Sequence, residues 1–411
     1  MGTNLVCHSC HNEDMRTVSD NDMKKKVIIG MSGGVDSSVA AFLLKEQGYD
    51  VVGLTMRLCE GFVNRSDSES VQLARSVADK LGIDFMTVDY QDEFRDYVVN
   101  PFIETYEQGM TPNPCIECNR CIKFDMMMND SDEGYESDME HAPLVATGHY
   151  AIIEGPDVPV NLTIDNTNAA NLNCITSSVG LNFEGRYKLR KSANLPKDQS
   201  YFLYTLSQDT LARVIFPLGN MAKTDVRDIA EANGLVTAKR KDSQDICFVP
   251  DGDYASFIEG ITGKTYPDGN FVDRDGNILG RHKGIIKYTL GQRKGLGLAL
   301  KKPMYVYRLD MERNEVVLAD DADLFTTELT ANRVNWVSIA PPTAPIRALG
   351  RIRYRHKEAP CTVTPNTDGT ISVVFDESQR AITAGQSLVL YDEASDSYVL
   401  GGGIICTNPS Q

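Results

Sequence analysis

No apolar run in this chain approaches the roughly 20 residues that cross a bilayer, so neither a membrane span nor a membrane partner is expected. Residues 1–22 lack the apolar stretch of a secretory signal and are polar throughout. They read as a disordered extension, and a cytoplasmic location is the expectation. Cys7, His8, Cys10 and His11 lie in it as weak metal candidates. No lysine follows the glycines of the Gly-rich turn at 32–38, which excludes a Walker A loop. Basic charge is in deficit, with 41 Lys and Arg against 57 Asp and Glu. A surface that binds polyanions everywhere is thereby excluded, but a local basic face is not. No internal repeat is visible.

What is present begins with a 411-residue length, enough for two or three domains with their own cores. From residue 24 the pattern is α/β. Residues 27–30, 51–55, 85–88 and 144–148 read as buried strands, and a helix ends near Gly48. Another helix spans 71–81, and helical spacing returns between 208 and 233. The alternation predicts a doubly wound parallel sheet with ligands at the carboxyl ends of its strands. After about residue 263 short alternating segments take over, at 304–309, 315–318, 348–354, 372–375 and 387–391, as in β-sheets or barrels. The expected division is a disordered extension over 1–22, a catalytic α/β domain over 23–262, a central β domain over 263–330 and a C-terminal β-barrel over 331–411. Residues 341–345, PPTAP, read as a linker or bounding loop. The acidic stretch 129–141 and the Asn-rich stretch 161–182 read as surface loops.

The string SGGVDSS at 32–38 sits between a strand and a helix. Paired glycines permit positive φ and close backbone approach, and the N–H groups of the first helical turn point at an anion. The motif resembles that of the ATP-pyrophosphatase family, whose members cleave ATP to AMP and pyrophosphate. The resemblance implies that Gly30, Met31, Ser32, Gly33, Gly34, Val35, Asp36, Ser37, Met56 and Gly148 surround ATP. It also implies Mg2+ beside Asp36.

Ten cysteines in a reducing compartment do not make a disulfide framework. Cys115, Cys118 and Cys121 form a CxxCxxC run behind two prolines, and Cys247 stands far downstream in DSQDICF. Buried core thiols, a metal or iron–sulfur site, and persulfide chemistry all remain open for them. Cys59, Cys174, Cys361 and Cys406 read as structural.

TPNPCxxCN followed by IKF, joined to SGGVDSS, resembles the tRNA-specific 2-thiouridylases. TGHY at 147, KDQSYFL at 197, FPLG at 216, DICF at 245, GQRKG at 291, RYR at 353 and AGQS at 384 continue the likeness in order along the chain. The resemblance implies ATP-dependent 2-thiolation of the wobble uridine (U34) of tRNA, with Cys118 as nucleophile and Cys247 as the bearer of a persulfide. A cysteine desulfurase or relay protein would supply the sulfur. Asn113, Pro114 and Cys115 match the segment that contacts the target base. His149, Lys197, Asp198, Gln199, Arg353, Tyr354 and Gln386 match tRNA-contacting positions. Many members have Asp at the position of Cys115, so Cys115, Cys118 and Cys247 are also candidate ligands of an iron–sulfur cluster. Cys121 is a further departure.

Segments 185–197, 276–302 and 347–357 are dense in Lys and Arg and suit phosphate contact. Two other functions are weighed. A ligase of the same superfamily acting on another acceptor would lack tRNA affinity. A non-catalytic iron–sulfur or RNA-binding protein would release no pyrophosphate.

Overall fold

A computed structural model of the chain describes residues 25–59, 67–132, 142–157, 181–238, 240 and 246–406. The N-terminal Cys and His residues, Cys174, most of 129–141 and 161–182, and residues 241–245 of the downstream cysteine motif lie outside them. Among the described residues no helix is long and apolar enough to cross a membrane.

The apolar run before the Gly-rich turn forms β1 (Lys26–Gly30), the middle strand of a five-stranded parallel sheet. The sheet also holds β2 (Asp50–Arg57), β3 (Asp84–Asp89), β4 (Leu144–Ala146) and β7 (Val214–Ile215), ordered β3-β2-β1-β4-β7. Val27 and Ile29 pack on one face under α1 (Val35–Glu46), α2 (Asp67–Leu81) and α8 (Lys223–Ala232). α1 presents Val35, Val39, Ala40 and Leu44 to that core, and its exit turn is completed by Gly48 at φ 89°. Between β4 and β7, β5 (Ala151–Glu154) and β6 (Lys188–Lys191) pair as a hairpin-like ribbon.

Between β3 and β4 the chain makes a long helical excursion that the sequence reading gave no elements. It contains α3 (Gln91–Phe94), α4 (Asn100–Glu107), α5 (Pro114–Glu117) and α6 (Met127–Asp132), with π-helical stretches at Arg95–Val99 and Cys118–Met126. Such stretches are rare and arise under local packing demands rather than residue propensity. Pro114 opens α5, where a missing N–H costs nothing.

α7 (Gln208–Arg213) starts at Ser207, whose hydroxyl accepts from the Thr210 N–H, and α9 (Tyr254–Thr262) starts at Asp253. β8 (Gly269–Val272), β9 (Ile278–His282), β10 (Tyr305–Asp310) and β11 (Glu315–Ala319) form a four-stranded sheet. A closed six-stranded barrel follows, from β12 (Phe325–Asn335), β13 (Ile346–Arg351), β14 (Ala359–Pro365), β15 (Ile371–Arg380), β16 (Ser387–Tyr391) and β17 (Val399–Ile405). The fold class is thus as expected. The boundary placed at 331 falls inside β12, because a capped turn at Asp320 and Asp323 breaks the chain earlier. The PPTAP stretch joins β12 to β13 within the barrel and is no interdomain linker.

Shared cores tie the units together. Phe94, Phe102 and Ile122 of the excursion pack with Phe248, Ile258, Phe271 and Val316. Ile28, Phe124 and Tyr201 pack with Val389, Tyr391 and Val399 of the barrel.

Candidate active site

The Gly-rich turn lies at the carboxyl end of β1. The Met31 N–H donates to Leu54 O at 2.7 Å, and Thr55 Oγ1 donates to Met31 O at 2.6 Å, so the turn is fixed to β2. Gly33 has φ 67°, a left-handed conformation that favours glycine, and Gly34 caps α1 in extended geometry. Ser37 Oγ accepts from the Ser32 N–H at 3.2 Å, and Ser38 Oγ donates to Gly34 O at 2.8 Å. The first-turn N–H groups of α1 have no intrahelical partner and point out of the turn. Gly148, following β4, abuts them: a Cβ there would stand 2.8 Å from Ser37 N and 2.9 Å from Asp36 C. Gly30, at the end of β1, faces Met127 of α6. The structure therefore brings Gly30, residues 31–37 and Gly148 together, with Met56 on the adjacent strand β2.

Three groups around this turn escaped the sequence reading. Lys223 Nζ, at the start of α8, donates to both Asp36 carboxylate oxygens at 2.6 and 2.8 Å. The Tyr150 hydroxyl donates to Asp36 Oδ1 at 2.8 Å, and Arg240 Nη1 donates to Gly33 O at 2.9 Å. Tyr150 lies within the TGHY string, a signal that was present; nothing local marks Lys223 or Arg240.

His149 links the turn to the thiols. Its ring is buried, shares a 2.8 Å hydrogen bond between Nδ1 and Thr147 Oγ1, and packs 6.0 Å from Phe124 of the π-helical stretch. Burial, helped by the nearby Lys123 charge, holds it well below the usual histidine range, so the ring is neutral.

Cys118 is buried at the start of the π-helical stretch, whereas Cys115 and Cys247 are exposed. Burial pushes the Cys118 thiol up to about 12; Lys123 opposes the shift, while Cys247, Cys115 and Cys121 add to it. Cys115 is raised as well, because its thiol is desolvated against the protein although the residue reaches the surface, with Lys123 opposing and Cys247 adding. Lys123, which donates to Asn119 Oδ1 at 2.9 Å, is the cation that Cys115 and Cys118 share, and the motif strings give it no role of its own. Cys121 points elsewhere, toward Glu117.

The iron–sulfur expectation for Cys115, Cys118 and Cys247 has no counterpart in the described side chains. Among the described residues no three His, Cys, Asp or Glu side chains gather as a metal-binding set. Cys118 is turned inward while Cys115 faces solvent.

The residues matched to tRNA contact have polar atoms engaged within the protein. Asp198 accepts from the Ser192 N–H at 2.9 Å and from Ser200 Oγ at 2.8 Å; Gln199 Oε1 accepts from the Tyr150 N–H at 2.9 Å. The Tyr354 hydroxyl donates to Asp198 O at 3.1 Å, and its ring packs 4.4 Å from Phe202. Arg353 Nη2 donates to Arg380 O and Ala381 O. Gln386 Nε2 donates to Thr111 O at 2.9 Å and Pro112 O at 3.2 Å, directly before Asn113 and Pro114. Lys197 is half-buried at the end of a 3-10 turn.

Two basic segments are turned inward in part, although Arg355 and Lys357 are exposed. Lys188 and Lys191 are buried, Lys191 paired with Asp396 at 2.5 Å and Glu358 at 3.2 Å. Arg347 bridges Asp376 and Glu393, both at 2.7 Å, and Arg351 pairs with Glu358 at 3.2 Å. The partners of Lys191 and Arg347 lie 29 residues or more away in the chain, which local charge density cannot show. In segment 276–302 exposed Arg293 and Lys301 border an open cleft of about 650 Å³.

Three family descriptions match: a "tRNA methyl transferase HUP domain" over residues 25–251, a "tRNA methyl transferase PRC-barrel domain" over 255–320 and an "Aminomethyltransferase beta-barrel domain" over 326–405. The tRNA-specific 2-thiouridylase MnmA of Acetivibrio thermocellus is 46% identical over 93% of this chain and 99% of its own length. That of Clostridioides difficile is 44% identical over 93% and 98%. Among solved structures, the U34-tRNA thiolase NcsA from Methanococcus maripaludis aligns at 20% identity and a TM-score of 0.32, over 59% of this chain and 74% of that one, too slight a likeness to argue from.

Proposed function

The chain belongs to the tRNA-specific 2-thiouridylase family and carries out ATP-dependent thiolation of uridine in tRNA, and we propose that its target is the wobble uridine, U34, with Cys247 and Cys118 as the sulfur-handling pair. The observation that supports this assignment is an exposed Cys247 and a buried Cys118 in a chain whose Gly-rich turn, abutted by Gly148, leaves the first N–H groups of α1 open.

ATP lies with its phosphates over residues 32–37 and the N-terminus of α1. The uridine C2 oxygen attacks the α-phosphorus and pyrophosphate departs, leaving an adenylated base. Asp36, with its single carboxylate, is the residue that would hold Mg2+, which screens phosphate charge when bound. Lys223 and Tyr150 set the orientation of that carboxylate.

Cys247 is accessible to a desulfurase or relay protein and carries the donated sulfur as a persulfide. The terminal persulfide sulfur attacks C2, and AMP leaves with the former C2 oxygen. The Cys118 thiolate then attacks Cys247 Sγ and breaks its bond to the transferred sulfur. 2-Thiouridine is released and a Cys118–Cys247 disulfide remains, which an external thiol of the cytoplasm reduces. Cys118 thus needs a local cation to ionise, and Lys123 supplies it. Asn113, Pro114 and Cys115 flank the base, and Lys197, Arg353, Tyr354 and the cleft at 293–301 lie on the RNA side.

Enzyme incubated with tRNA, ATP and a persulfide donor should yield 2-thiouridine by nucleoside mass spectrometry. Cys118→Ala and Cys247→Ala should each abolish it; undiminished thiolation by either variant overturns that residue's role.

A further inference from the structure

The barrel does more than extend the RNA surface. Its 384–386 turn closes on the chain segment that leads into the thiols. The Thr111 N–H donates to Ala384 O at 2.9 Å, and Gln386 Nε2 returns hydrogen bonds to Thr111 O and Pro112 O at 2.9 and 3.2 Å. Gly385, at φ 85°, lies so close that a Cβ there would meet Thr111 backbone atoms at 3.0–3.1 Å. The turn is itself locked to β17, since the Gly385 N–H donates to Ile405 O and the Ile405 N–H to Gln386 O, at 2.9 and 2.8 Å.

A second contact grips the same segment from its other end. Arg333 of β12 pairs with Glu117 at 3.5 Å, and Arg120 pairs with the same carboxylate at 2.7 Å. Arg333 has φ 49°, a conformation costly for a residue with a side chain, at a break in the β12–β17 register. Asn335 Nδ2 fixes that region by donating to Tyr204 O and Leu206 O at 2.7 and 3.1 Å. Residues 111–118 therefore meet one barrel at both ends, through hydrogen bonds at Thr111–Pro112 and through a longer, solvent-exposed ion pair at Glu117. The only described chain between the two grips is the short stretch that carries Asn113, Pro114 and Cys115, and Cys118 follows directly.

We propose that the barrel positions the base-contact and thiol segment, with Gln386 and Gly385 as its principal positioning residues and Arg333 as the second anchor. This rests on the thiolation reading for its consequence but not for its geometry. RNA that engages the barrel edge competes for the Gln386 amide and so acts directly on the loop before Cys115. Binding of tRNA and the placement of Cys118 become one event.

The test uses full-length enzyme without tRNA or ATP. Cys118 is buried, so its alkylation by iodoacetamide, followed by peptide mass spectrometry, reports opening of the segment. Gln386→Ala removes two hydrogen bonds and should raise the Cys118 alkylation rate by a factor of about 5–30. Gly385→Ala leaves the amide intact but crowds Thr111, and should act in the same direction. In turnover, both should lower kcat while the KM for ATP is unchanged. If both variants remain folded by circular dichroism and alkylate like the wild type, while only tRNA affinity falls, the turn is merely an RNA contact and the proposal is overturned. Loss of thiolation in the wild type would instead strike the functional reading, since alkylation is measured without substrates.

Discussion

Gly148→Ala isolates the placement of the ATP site in a single methyl group. Gly148 is not among the positive-φ glycines, so alanine is conformationally admissible and the cost is contact alone. The added Cβ would stand 2.8 Å from Ser37 N, 2.9 Å from Asp36 C and 3.1 Å from Ser37 Cα. All three are backbone atoms of the turn and its helix, so no flexible side chain can yield. Overpacking of this kind costs about 1–3 kcal/mol. Relief requires the turn to move away from β4, which displaces the N–H groups that face the phosphates. If that strain is expressed at the site, the ATP Kd rises between about fivefold and about 150-fold. Isothermal titration of ATP into tRNA-free enzyme measures it. Gly155→Ala, where nothing lies within 4 Å of the new Cβ, is the silent control. An unchanged ATP Kd in Gly148→Ala, with the penalty appearing only as a lower Tm, would refute the reasoning.

Two further expectations concern charge at the same site. Lys223→Met strips the Asp36 carboxylate of its ammonium and leaves an uncompensated negative charge against the polyphosphate. ATP affinity should fall at least about tenfold, as juxtaposed like charges cost several kcal/mol, and an unaltered ATP titration would count against Lys223. His149 is neutral in the fold with its pKa held below the 6.5 of a free imidazole, chiefly by burial. Below pH 6.5 the unfolded chain takes up a proton that the folded chain does not, so stability is present above that pH and lost as pH falls, by up to about 1.4 kcal/mol per pH unit. His149→Gln should flatten the wild-type decline in urea-unfolding stability between pH 6.5 and 5. Parallel declines in the two proteins would show that the imidazole is not the titrating group.

The parallel sheet was legible because buried central strands write themselves as short β-branched runs, as at Val27, Ile28 and Ile29, and because the Gly-rich turn sits where a strand must become a helix. The helical excursion was not. Its π-helical stretches depend on what packs around Phe94, Phe102 and Phe124, and no residue propensity encodes them. Lys223 and Arg240 were illegible for a related reason. Each is an ordinary cation in its own neighbourhood and becomes part of the site only when the sheet brings α8 and the following loop to the turn. The basic segments failed in the opposite sense. Lys191 and Arg347 looked like phosphate contacts in one dimension, but Asp396, Asp376 and Glu393 consume them in three.

The matched motifs mark positions along the chain without saying what they touch. KDQ at 197–199, RY at 353–354 and Q at 386 are separate strings in the sequence. In the fold the Tyr354 hydroxyl reaches Asp198 O, Gln199 holds the Tyr150 backbone beside Asp36, and Gln386 holds Thr111 before the thiols. Each is a tie between the sheet, the thiol segment and the barrel. A residue that both touches RNA and fixes such a tie cannot bind one without loading the other, because its donors and acceptors are finite. On the proposed function, the strings matched to RNA contact are therefore also the joints through which a bound tRNA would set the geometry of Cys118 and of the phosphate turn. Substitutions at Gln386 or Tyr354 should consequently disturb turnover as well as affinity, whereas the loss of Arg293 or Lys301 at the outer cleft should disturb affinity alone.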